Sequence, residues 1–214
     1  MISSYVTQDW LTLTIIFLVV LISYTHYLHE GRFNKFISLA KSNEYFVEYM
    51  DKKAPFISVF NAILFFVQLG IYALLLFFIK ESIDGSENGF DTFYSVLLKL
   101  FLFFIGRYII GKIISFVFGI DKIQGILSFV KFTYFSKVAI YIFPFIILLS
   151  YISLYNLLLL KVGTIITVLF LLLLYGKILL QNQKLIFRNL FYFILYLCAL
   201  EITPLIYLFK FIVE

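Results

Sequence analysis

A chain of 214 residues that is 63% hydrophobic and 14% charged, with a mean hydropathy of +1.05, does not have the composition of a soluble domain. The formal charge of +5 is spread between apolar segments with no dense basic run, which sets aside nucleic acid as a partner, and a single cysteine, Cys198, excludes an intrachain disulfide. The expected fold is all-α: one polytopic membrane domain over 1–214, with six transmembrane helices and one or two interfacial amphipathic helices.

In chain order, the first crossing spans about 10–27 and lacks the basic start and small-residue cleavage site of a signal peptide, so it is expected to be retained. His26, His29 and Glu30 follow at helical spacing, but no further His exists to complete a metal site, and no metal or other cofactor is expected. Residues 31–54 mix Arg32, Lys35, Lys41, Lys52 and Lys53 with acidic residues. Phe33, Phe36, Ile37 and Ala40 recur at helical spacing, which predicts an amphipathic helix lying on the bilayer.

Pro55 suits the first turn of the second crossing, about 56–79. Asn61 and Gln68, seven residues apart, share a face that should point into the bundle. A short acidic turn precedes the third crossing, about 92–118, which holds Lys99, Arg107 and Lys112. Gly106 and Gly111 flank the arginine and would let a neighbouring backbone approach it.

Residues 119–137 are too polar to span and too apolar to float free, so a second interfacial helix is expected there. The fourth crossing, about 138–160, should bend near Pro144. Lys161-Val162-Gly163 reads as a tight connection to the fifth crossing, about 162–180, and the sixth runs over about 187–213.

That last segment carries the most costly residue. Glu201 lies roughly halfway through it, where a charge costs about 3 kcal/mol, and Pro204 leaves the carbonyl of Leu200 without its usual donor. A helix kink and an inward-facing polar spot are expected there. Summing Lys and Arg over alternate loops gives eleven on one side and three on the other, which places both termini on the periplasmic side. With that topology Arg107 and Glu201 reach similar depth and are predicted to form an ion pair. Such a pair either fixes the helix arrangement or forms a site, with Glu201 protonating or Arg107 holding an anion.

The run Tyr196-Leu197-Cys198-Ala199-Leu200-Glu201-Ile202-Thr203-Pro204-Leu205, together with Arg107 and Gly111 and with Asp9-Trp10-Leu11, resembles an uncharacterised membrane-protein family of Bacteroidota, domain of unknown function 4271. The resemblance implies a bacterial inner-membrane protein, in organisms that commonly glide or use the type IX secretion route. It supplies no established activity and no catalytic residue.

No P-loop, dinucleotide fingerprint, His-Glu-x-x-His or Gly-x-Ser-x-Gly is present, so no catalytic residue is assigned and an enzyme is not expected. The favoured expectation is an accessory or scaffold subunit of a larger envelope complex, in contact with membrane lipids and with a membrane-protein partner or a second copy of itself. A small proton-coupled or anion transporter would instead line a polar path with Glu201, Arg107, Lys99, Asn61 and Gln68. A membrane-embedded lipid-handling enzyme is the third reading.

Overall fold

Backbone N–H and C=O groups in hydrocarbon have no water to bind, so long apolar runs close their hydrogen bonds within a helix. The computed structural model describes residues 9–38, 45, 49, 58–84, 89–118, 121–152 and 157–181, and these are all-helical. The helices are α1 (Asp9–Leu28), α2 (Glu30–Ser38), α3 (Val59–Asp84), α4 (Gly89–Phe118), α5 (Asp121–Ile152) and α6 (Leu157–Gln181). Among the described residues four stretches, Asp9–Leu28, Val59–Ser82, Gly89–Ile113 and Ser128–Ser150, are long and apolar enough to cross a membrane. The expected sixth crossing lies outside the described residues.

α3 is the hub and touches α1, α4, α5 and α6. Within an 18-residue stretch of each span, 61% of residues are buried in α3 and α5 against 17% in α1 and α4, so α3 and α5 form the central pair and the other two flank it. Ring and side-chain contacts give the directions. Trp10 meets Phe77, Leu18 meets Gly70 and His29 meets Phe60, so α1 runs antiparallel to α3. Phe93 meets Phe77 while Phe101 and Phe104 meet Phe65, so α4 is antiparallel to α3 as well. Phe60 and Leu64 cluster with Phe129 and Phe132, Gln68 bonds Ser136, and Leu74 lies in one core with Ile142, which makes α3 and α5 parallel. Leu149 against Gly163 and Phe145 against Phe170 set α6 antiparallel to α5.

Hydroxyls inside these apolar helices are satisfied locally. Thr14, Thr25, Thr133 and Thr167 each donate to the carbonyl four residues back, at 2.7 to 2.8 Å.

Four sequence expectations are corrected. First, α3 begins at Val59 with Ser58 as its cap, and the expected first turn at Pro55 lies outside the described residues. Ser58 caps it: its Oγ accepts from the Asn61 N–H at 3.3 Å and its carbonyl accepts from Ala62 N at 3.0 Å. Second, the expected interfacial helix over 119–137 and the fourth crossing are one helix, α5, which continues through the exposed Pro144 and ends at Ile152. Charged residues dilute hydropathy whether they face water or the protein interior, and that ambiguity produced the false break.

Third, Lys161-Val162-Gly163 lies inside α6 rather than between two helices. Gly163 is a close-approach glycine: a Cβ there would stand 2.5 Å from Leu149 Cδ2. Fourth, α2 packs part of its apolar side inward: Phe33 and Phe36 are buried, while Ile37 is exposed. Helical bonds carry through the junction, with His29 N–H donating to Thr25 O and Phe33 N–H to His29 O. Phe33 and Phe36 are buried against Tyr45, Phe60 and the α5 residues Phe129 and Phe132. Helical spacing of apolar residues reveals an apolar face, but not whether lipid or protein covers it.

Candidate functional site

The densest polar constellation among the described residues is built on Arg32, which the sequence presents only as one loop charge among several. α2 stacks on α1 and brings the half-buried Arg32 to the first turn of α3. Its Nη1 donates to Ser58 Oγ at 3.1 Å and its Nη2 to Asn61 Oδ1 at 3.1 Å. Nε and Nη2 also reach the Tyr45 hydroxyl at 3.4 and 3.3 Å. The guanidinium carbon lies 4.4 Å from the centre of the Phe60 ring, 4.6 Å from that of Tyr49 and 5.8 Å from that of Tyr45. Each cation–π contact contributes roughly 0.5–2 kcal/mol, and hydrogen bonds to a charged donor contribute about 1.5–3 kcal/mol. Burial pushes the Tyr45 phenol above its ordinary value, while the charge and hydrogen bonds of Arg32 pull the other way.

One face of α3 carries a polar seam toward α5. Gln68, buried, accepts from Ser136 Oγ at 2.8 Å, and the Tyr72 hydroxyl donates to Phe135 O at 3.0 Å. Asn61 is buried on the same face, but the two amides bond to different groups, Asn61 meeting Arg32 and Gln68 meeting Ser136.

Beside this seam lies a charge that the sequence presents as a loop residue. Lys137 is 7% exposed near the middle of the Ser128–Ser150 span, with Nζ 5.8 Å from the centre of the Tyr141 ring. Its flanking charges make 119–137 look like a membrane surface, and only helix packing shows that Lys137 points inward.

The remaining predicted residues are placed as follows. Arg107 is half-buried on α4, its guanidinium 5.8 Å from the Phe135 ring centre. Because Phe101 and Phe104 sit against Phe65, Arg107 belongs toward the end of the bundle that holds Phe60. Lys99, two turns earlier and half-buried, is the α4 cation nearer the level of Gly70. Gly106 does not admit a close backbone: a Cβ there would meet nothing within 4 Å. Glu201 and Pro204 lie outside the described residues. His26 and His29 make edge contacts with Phe33 and Phe60, and no group of three metal-ligating side chains occurs among the described residues.

The opposite end is aromatic. Trp10 packs against Phe77, Phe90 and Phe93 with centroids 5.2 to 5.9 Å apart. Trp10 Nε1 and Glu81 Oε2 are the two buried side-chain polar atoms without a hydrogen-bond partner among the described residues.

In comparisons with known proteins, the family model described as domain of unknown function (DUF4271) matches residues 11–212. No curated protein and no solved structure matches the chain.

Proposed function

Since the chain belongs to the DUF4271 family, we propose that it is a non-enzymatic accessory or scaffold subunit of a larger envelope complex in a bacterial inner membrane, serving secretion or gliding machinery. In this reading the chain crosses the membrane six times, with both termini periplasmic, and docks on a membrane-protein partner or a second copy of itself within the lipid.

The supporting observation is how its buried and half-buried polar groups are used. Arg32 with Ser58 and Asn61, Gln68 with Ser136, and Tyr72 with the Phe135 carbonyl all fasten one part of the chain to another. Meanwhile α1, α4 and α6 turn apolar residues such as Phe17, Leu102 and Leu169 outward. Polar contacts between helices hold an arrangement in lipid, and outward apolar faces suit either lipid or a partner helix. The test is purification in mild detergent with identification of what accompanies the chain. A stoichiometric membrane-protein partner is expected, and a chain that purifies alone as a monomer would overturn the subunit reading.

A second reading, transport of protons or anions, is favoured by one specific feature. Lys137 is buried near mid-span beside Ser136 and Gln68, where ionisable groups often mark a pathway.

A further inference from the structure

Among the described residues the charge on Arg32 is held but not neutralised. Among the described residues its partners are two hydroxyls, one amide oxygen and three aromatic rings, all uncharged, and no carboxylate pairs with it. A half-buried guanidinium ordinarily acquires a counter-charge, because neutral acceptors satisfy its hydrogens without cancelling its field.

The unused hydrogen-bonding capacity around it has one sign. Of the five guanidinium hydrogens, the contacts above engage Nε, both on Nη2 and one on Nη1, which leaves one N–H on Nη1. Ser58 Oγ accepts twice, from Arg32 and from the Asn61 N–H, and its own hydrogen, which those two bonds leave available, meets no acceptor among the described residues. Both remaining groups are donors, one on Ser58 Oγ and one on Arg32 Nη1, which is hydrogen-bonded to that oxygen. The position is open: Ser58 is half-buried, and Val59 beside it is 64% exposed. A site that offers only donors and carries a positive charge selects an oxyanion.

We propose that Arg32 and Ser58 form a phosphate-binding site at this end of the bundle, filled by the phosphate of an anionic lipid headgroup or by free phosphate. It goes beyond the subunit reading and does not depend on it. The end is suited to a headgroup, since α3 enters its membrane-length span at Val59, directly after Ser58. α2 also adds Lys35 one turn from Arg32.

The test uses the purified full chain in detergent, with phosphatidylglycerol, phosphatidylcholine or inorganic phosphate added at matched ionic strength. Retained lipid is read by native mass spectrometry, and melting by intrinsic fluorescence. The wild type should keep phosphatidylglycerol at least tenfold better than phosphatidylcholine and melt higher in its presence. If phosphate raises the melting temperature and phosphatidylglycerol does not, the site takes the free ion and the phosphate assignment stands. No preference in any arm would overturn it.

Arg32→Gln should abolish the preference, but this change also removes the contacts that hold α2 in place. Ser58→Asp separates the two effects, because aspartate keeps the helix cap while supplying the missing counter-charge from within. The Ser58→Asp variant should fold, melt at least as high as the wild type without anion, and lose its response to phosphatidylglycerol and phosphate about tenfold. A folded Ser58→Asp protein that still selects the anion as the wild type does would sink the assignment.

Discussion

Leu18 and Gly70 meet at the midpoints of α1 and α3, and the crossing can be tested by a single methyl group. A Cβ on Gly70 would lie 2.7 Å from Leu18 Cδ2 and 3.4 Å from Leu18 Cδ1. Carbon atoms pack best at about 3.5–4.0 Å, so Leu18 must withdraw by about 1 Å to accept it. Leu18 is 2% exposed in the core that also contains Val67, Ile71 and Leu74. Overpacking of this kind costs about 1–3 kcal/mol, the loss expected for Gly70→Ala. Leu18→Ala should cost about 2–5 kcal/mol through the cavity it leaves. In the double variant the methyl group added by Gly70→Ala enters that cavity, so the combined loss should fall short of the sum by about 1 kcal/mol or more. The assay is built into the chain: Trp10 is its single tryptophan and packs between α3 and α4, so its fluorescence reports separation of α1 during unfolding in mild detergent. Unchanged stability of Gly70→Ala, or strictly additive losses, would refute the crossing at this register.

Raising the pH should weaken the Arg32 cluster through Tyr45. Its phenol titrates above the ordinary value of 10.0 because burial disfavours phenolate, so the stabilisation is fully present below that pH and lost above it. The stability gap between the wild type and Tyr45→Phe should therefore narrow from pH 8 toward pH 11, and a widening gap would mean that phenolate pairing with Arg32 outweighs burial. The proposed ion pair of Glu201 is tested by substitution to leucine, alone and combined with Arg107→Leu. Each single change should destabilise, by up to about 3–5 kcal/mol, and the double should recover much of the loss. If recovery comes with Lys99→Leu or Lys137→Leu instead, Arg107 is not the partner.

Hydropathy accumulates along a chain whatever the chain later touches, and for that reason the membrane class and the elements α1, α3 and α4 could be read directly. The expected crossings at about 10–27, 56–79 and 92–118 compare with Asp9–Leu28, Val59–Asp84 and Gly89–Phe118. The burial of Asn61 and Gln68 follows from the same reasoning, since an amide in an apolar helix has nowhere else to find a partner. The readings of Gly163 and Lys137 failed because each depended on a neighbour distant in sequence. Gly163 looks like a turn residue until Leu149 is placed against it. Lys137 looks like a surface charge until α5 is seen to be one helix with that residue turned inward.

Arg32 shows the limit most clearly. Its partners Tyr45, Ser58 and Asn61 lie 13, 26 and 29 residues away, and no local periodicity connects them. The sequence by itself determined that long helices form and that the chain suits a bilayer, because both follow from short-range energies. The tertiary structure alone decided which cations face inward, which glycines admit a neighbour and where a guanidinium is clamped. Those depend on pairwise geometry between helices, and hydropathy along one of them carries no record of it.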